Sequence, residues 1–370
     1  MAEKQLNVAI VGLGFGAEFI PIYQRHPRAN MFAVCQRTKS KLDQIADHFR
    51  IPKRYADFDE LIADPEIDAV HINSPIHLHA PQSIAALNAG KHVACTVPAA
   101  TTVGECEQIV RAAERAGKTY MMMETVIYSR EFLYVRELRD QGKLGRIQFL
   151  HRSHLQNMEG WPSYWEGLPP MHYATHCVSP CLAIVHGEAD YVSCIGSGRI
   201  AEDLIPKYGS PFSFETAHFK IRGQELGCEV TRFLFNAARQ YIESFDVYGE
   251  KMSFEWQLIE GDDPVLHLGG EKAEKVKVPD YARLLPEPIR PFTTKGVYDA
   301  DEHQHLSFIQ GSGHGGSHPH LAHEFVTAVL DGRPSFPDVY QSVNWTMAGI
   351  CAHESAMRGG ALVEIPDFRN

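Results

Sequence analysis

Tyr173 and His176, three residues apart, form the leading acid–base candidate in this 370-residue chain. An imidazole titrates near neutrality, and a phenol beside it can donate or relay a proton. Glu124, at the tip of the apolar run Met121-Met122-Met123, adds a carboxylate to the candidate catalytic set. Tyr128, Arg130 and His172 are polar groups suited to holding a hydroxyl-rich ligand. Trp161 and Trp165 share one loop, and their flat faces suit stacking on apolar C–H groups; pinning a loop to the core would use the same residues. His172 and His176 have the four-residue spacing of a metal pair on a helix, but no third ligand is placed, and no metal is assigned. Histidines 314, 318, 320 and 323 raise the same idea, and roles at a helix start or a pocket wall are preferred.

A second chemistry is written near the N-terminus. Val8-Ala9-Ile10-Val11 reads as a buried strand, and Gly12-Leu13-Gly14-Phe15-Gly16-Ala17 as a turn opening a helix from Ala17 to His26. Gly12 permits the turn, Gly14 lets the backbone approach a pyrophosphate, and Ala17 fills the small third position of the G-x-G-x-x-G/A pattern. Strand and helix on either side make the pattern informative. The next strand, Met31–Cys35, ends in Gln36-Arg37, where an acid usually holds the adenosine ribose. Gln36 can still bond a ribose hydroxyl. Arg37 can stack on adenine, meet a 2′-phosphate or remain a solvated cation. NAD is therefore the assigned cofactor, with NADP not excluded. Ser74, Pro75, His77 and His79 follow the strand Ala69–Asn73, and Thr96 and Pro98 follow Lys91–Cys95. Both groups stand at strand C-termini, where open α/β sheets bind ligands.

The elements that must position these residues alternate as β and α up to Glu124. They predict a parallel-sheet dinucleotide-binding domain over residues 1–125. Residues 126–370 form the second domain, for substrate binding and oligomerisation. Its helices are predicted at Phe132–Gln141 and Pro170–His186, and a meandering sheet runs from Tyr191 to about Val278. Asp280–Glu302 reads as a long excursion, and helices at Leu321–Asp331 and Val343–Arg358 close the chain. The formal net charge of −11 argues against a nucleic-acid surface, and no apolar run is long enough to span a bilayer. The polar start and eight cysteines without disulfide-framework spacing predict a reduced, cytoplasmic protein.

Taken together, Gly12-x-Gly14, Ser74-Pro75 with His79, Ala89-Gly90-Lys91-His92-Val93, Pro98, Gly142-x-x-Gly145, His176 and His314-Gly315-Gly316-Ser317 resemble the glucose–fructose oxidoreductase/inositol dehydrogenase (Gfo/Idh/MocA) family over nearly the whole chain. The resemblance implies a Rossmann domain, then an α/β domain with a large, mostly antiparallel open sheet, and a homodimer or homotetramer. The chain departs from the family where Thr96-Val97-Pro98 replaces Glu-Lys-Pro, and where His172 and Ser179 replace two acids around His176. Val97-Pro98, Met121-Met122-Met123-Glu124, Tyr128-x-Arg130 and Tyr173-x-x-His176 resemble its NAD-dependent glycosidase branch. That branch implies transient C3 oxidation of a sugar, loss of the aglycone, water addition and re-reduction. The alternatives are a plain sugar dehydrogenase and, further off, a non-catalytic dinucleotide sensor.

Overall fold

The computed structural model describes residues 4–159, 167–259, 261–294 and 314–369. By its internal contacts the chain divides into two compact units: Met1–Ser129 with Asp280–Val343, and Arg130–Pro279 with Asn344–Asn370.

In the first unit six strands form one sheet: β1 (Leu6–Val11), β2 (Ala29–Cys35), β3 (Lys53–Tyr55), β4 (Ala69–Ile72), β5 (His92–Cys95) and β6 (Tyr120–Met122). Their order is β3-β2-β1-β4-β5-β6, with every pairing parallel. Val8, Ala9 and Ile10 point alternately to opposite faces and are all fully buried, the mark of a sheet covered on both sides. The order reverses between β1 and β4, which opens a crevice beyond their C-terminal ends. The short, charged, half-buried β3 gives no apolar pattern and was not predicted. The first helix is shorter than its sequence suggests. A 3-10 turn spans Gly16–Phe19, and an α-helix of only six residues follows over Ile20–Arg25. Pro21 enters its first turn, where no N–H is needed.

Asp280–Val343, placed by the sequence reading in the second domain, groups with this first unit. It contributes buried Ile289 and Phe292 and the helix His318–Asp331. It also closes the open edge at β6. The Met122 N–H donates to Ser342 Oγ at 3.1 Å, and Ser335 Oγ donates to the Tyr120 carbonyl at 3.4 Å. An uncovered strand edge would offer these groups to another chain.

The second unit holds a nine-stranded sheet: β7 (Ile147–Gln156), β8 (Ala189–Ser197), β9 (Phe214–Ile221), β10 (Gly227–Phe233), β11 (Tyr241–Gly249), β12 (Ser253–Glu255), β13 (Val265–His267), β14 (Ala273–Lys275) and β15 (Val363–Glu364). The order is β14-β13-β12-β11-β7-β10-β9-β8-β15, antiparallel except for β7 with β10. Three-residue and two-residue strands such as β13 and β15 lie below what alternation can show. The helix predicted over Pro170–His186 is interrupted. A 3-10 turn covers Pro170–Tyr173, and the α-helix runs from Thr175 to Ala183 against β7, β10 and β11. All eight cysteines are free thiols and buried. Among the described residues no helix is long and apolar enough to cross a membrane.

Candidate active site

At the crevice of the first unit, each glycine of the turn has its own physical reason. Gly12 has φ +83°, and a Cβ there would run into the Asn73 carbonyl. Gly16 packs closely on Ile10, whose Cγ2 would lie 2.8 Å from an added Cβ. At Gly14 the space is open, and only Lys41 Nζ, at 3.9 Å, comes within reach of an added Cβ. Protein packing accounts for Gly12 and Gly16, whereas no neighbouring protein atom accounts for Gly14, which leaves its backbone open to close approach. Phe15 stands edge-on to Phe19, His314 and His318.

Gln36 Oε1 accepts the Leu13 N–H at 2.9 Å, which fixes the turn. Arg37 is exposed. Lys41, which sequence reasoning missed, is half-buried, and burial pulls its ammonium pKa down. Asn73, also missed, joins the loops beyond β1, β4 and β5: Thr96 Oγ1 donates to its Oδ1 at 2.7 Å and to the Ile72 carbonyl at 3.0 Å. His79 is buried, with Nδ1 2.7 Å from the Pro98 carbonyl and Nε2 2.8 Å from the Ser74 carbonyl. Only an imidazolium can donate to both. Burial opposes that charge, but Cys95 and the two carbonyls outweigh it and the pKa is raised. His79 thus clamps Ser74-Pro75 to Pro98. Ser74 Oγ bonds Gln82, and His77 is exposed. Val97 is 2% exposed. The residues therefore fit a dinucleotide, with an open Gly14 turn, a ribose partner at Gln36 and braced loops after β4 and β5.

Glu124 is fully buried and accepts the Val126 N–H at 3.1 Å. The Tyr128 hydroxyl donates to the Phe336 carbonyl at 2.7 Å, so it braces this unit as well. Histidines 314, 318 and 320 are buried in the same unit. His318 Nε2 lies 3.2 Å from His314 Nδ1, and its Nδ1 lies 3.4 Å from Glu18 Oε2. His323 Nδ1 meets His26 Nε2 at 3.0 Å.

In the second unit the Tyr173 hydroxyl lies 3.4 Å from His176 Nε2, and both residues are buried. They meet across the junction of the 3-10 turn and the α-helix rather than along one continuous helix. His172 turns toward His353, with ring centroids 5.2 Å apart, and burial followed by His353 lowers its pKa to about 4. Arg130 opens the helix Arg130–Asp140. Trp161 and Trp165 lie outside the described residues. Arg232 spends its guanidinium on the structure, bonding the Tyr173 carbonyl at 3.0 Å, the His154 carbonyl at 3.1 Å and Gln156 Oε1 at 3.1 Å. Sequence reasoning missed His154, Gln156 and Glu243. Register alone brings them together, since His154 pairs with Glu243 across β7 and β11 and with Arg232 across β7 and β10.

Residues 6–124 match the family model described as oxidoreductase family, NAD-binding Rossmann fold. That match spans the first sheet, whose order β3-β2-β1-β4-β5-β6 is a Rossmann topology. Over its length the chain is 25% identical to an α-N-acetylgalactosaminidase of Shewanella oneidensis and to a glycosyl hydrolase family 109 protein of Shewanella baltica, covering 98% of this chain and 85% of each relative. Among solved structures it is similar in fold to levoglucosan dehydrogenase in complex with NADH and levoglucosan, with TM-score 0.76, 19% identity, and 98% and 100% of the two chains covered. An oxidoreductase from Agrobacterium radiobacter in complex with NAD+, L-tartaric acid and magnesium gives TM-score 0.77 at 18% identity, with 98% of each chain covered.

Proposed function

We propose that the protein is an NAD-dependent glycosidase that oxidises its sugar at C3, eliminates the aglycone, adds water and reduces the ketone. The observation that carries this reading is the buried Tyr173 hydroxyl 3.4 Å from His176 Nε2. It is an acid–base pair with no carboxylate on its own helix, in a chain that retains its dinucleotide site. The Gly12–Gly16 turn, Gln36, Arg37, Ser74, Pro75, Thr96 and Pro98 would hold the cofactor. When bound, NAD supplies a hydride acceptor and donor at C3. A C3 ketone acidifies the C2–H bond. His176 takes that proton as the C1–oxygen bond breaks, and the departing oxygen gains a proton to leave as the alcohol. Tyr173, bonded to Nε2, relays or returns the proton when water adds at C1. Val97 supports the glycosidase over an ordinary dehydrogenase, because it is buried and apolar where the resembling dehydrogenases have lysine. The relatives called α-N-acetylgalactosaminidase and family 109 proteins support the same choice.

Aryl glycosides assayed in heavy water with catalytic NAD test the reading. Aglycone release without accumulating NADH, and with deuterium at C2 of the product, is the expected result. Stoichiometric NADH with an intact glycosidic bond would make the protein a sugar dehydrogenase instead. A homodimer or homotetramer belongs to the same proposal. Exposed Tyr191, Ile195 and Leu362 form apolar surface on the second unit that another copy would cover, and light scattering reads the mass directly.

A further inference from the structure

The helix that carries His176, Thr175-His176-Cys177-Val178-Ser179-Pro180-Cys181-Leu182-Ala183, contains no carboxylate, lysine or arginine. The charges that surround His176 come instead from the sheet beneath it. His154, on β7, stands edge-on to His176 with ring centroids 5.3 Å apart, and its ring is 6.4 Å from that of Tyr173. Glu243, opposite on β11, brings Oε1 to 3.4 Å from His154 Nε2. The Tyr241 hydroxyl bonds the same carboxylate, and burial together with Glu243 raises the phenol pKa. Arg152, one β-repeat before His154, is fully buried and has no hydrogen-bond partner among the described residues; Glu243 Oε2 is 4.0 Å from its Nη2. Arg232 on β10 is also buried, its guanidinium 5.6 Å from the Tyr173 ring centre. Burial brings its pKa down to about 10, which leaves it charged at neutral pH. Among the described residues, Tyr173 and Cys177 are further titratable groups beside His176, while His172 faces His353.

Burying a guanidinium without a bonded acceptor is costly, and such groups persist where their field is used. Here two cations and one carboxylate lie on the strands that pack against the His176 helix, next to His154 and Tyr173. A net positive field opposes protonation of a neighbouring imidazole, and a nearby carboxylate favours it.

We propose that Glu243, His154 and Arg152 are positioning residues that set the protonation state of His176, with the carboxylate supplied by β11 and transmitted through His154. The catalytic consequence rests on the reading of His176 as the acid–base group. The electrostatic claim does not.

The test uses the full-length protein labelled with 13C-histidine. Ring signals of His176 and His154 are assigned by their loss in His176→Asn and His154→Asn. A unit charge roughly 8 Å away through an effective dielectric of about 20 shifts a pKa by about one to two units. Glu243→Gln removes an anion and should lower the His176 pKa by about one to two units; Arg152→Gln removes a cation and should raise it similarly. Glu243→Asp and Arg152→Lys should return the titration most of the way. A merely structural role would not move the two variants in opposite directions. The unmodified protein gives a check that needs no folded variant, because the two histidines should titrate as a coupled pair with biphasic curves. The proposal is overturned by an unchanged His176 titration in folded Glu243→Gln, by shifts of one sign in both variants, or by independent single-site curves in the unmodified protein. Full activity in His176→Asn would defeat the functional reading and leave these shifts standing.

Discussion

Three glycines within five residues answer three different demands. Gly12 needs a positive φ and leaves no room for a Cβ beside Asn73, Gly16 is packed on Ile10, and Gly14 meets nothing but the end of Lys41. Replacement by valine should therefore separate folding from binding. Gly14→Val is expected to fold with a melting temperature near that of the unmodified protein and to lose NAD affinity at least a hundredfold by fluorescence titration. Gly12→Val is expected to lose about 2–4 kcal/mol of stability, from backbone strain and the clash with Asn73. A Gly14→Val protein that titrates normally with NAD would remove the turn from the site. Groupings set by local spacing were legible in this way: the glycine turn after β1 and the approach of Tyr173 to His176. Lys41, His154 and Glu243 were not, because a turn folding back or a strand register brings them into place, and no local spacing encodes either.

At the scale of elements, the alternation of apolar runs with helical segments revealed five of the six strands of the first sheet and its parallel character. It did not show that Asp280–Val343 returns to that unit, since apolar residues such as Ile289, Phe292 and Phe325 pack on either core alike and no local pattern says which one they cover. That segment supplies Ser342 and Ser335 to the edge at β6 and the Phe336 carbonyl to Tyr128. A fragment ending at Ser129 is therefore expected to remain partly unfolded and aggregation-prone, with an unprotected strand edge and an uncovered core. Circular dichroism and sedimentation would show this. A monomeric, cooperatively melting fragment would show the returning segment to be dispensable. At Thr102 a helix start is closed by single bonds: its side chain accepts the Glu105 N–H, and the Glu105 carboxylate reaches back to the Thr102 N–H.

For the whole molecule, buried histidines decide how stability responds to acid. Burial lowers the pKa of His71 to about 3 and, with smaller contributions from neighbouring charges, those of His26, His92 and His172 to about 4. Unfolded, each would titrate near 6.5, so the unfolded chain takes up protons that the folded chain refuses. Their stabilisation is intact above pH 6.5 and is lost as pH falls toward 4, on the order of 1–2 kcal/mol each at pH 5. His79 and His151 act the other way. Their pKa values are raised in the fold, and their contribution is full below the unfolded pKa and fades as pH rises through the folded one. These four, joined by His186, His318 and His323, whose pKa values burial also lowers, outweigh the two raised ones, so the guanidinium midpoint is expected to fall substantially between pH 7 and pH 5. A flat or rising midpoint over that interval would contradict the burial of these rings.

The eight buried thiols carry a practical consequence. Burial drives Cys35 and Cys351 to about 12, so neither access nor ionisation favours attack by a thiol reagent. Native protein should release close to no chromophore from Ellman's reagent, whereas protein in strong denaturant should titrate all eight groups; several fast-reacting thiols in the native state would refute this. The molecule then comes ready for labelling chemistry. A cysteine placed at exposed Lys220 would be its one reactive handle, and a dye or spin probe could be attached there without removing a single native sulfur.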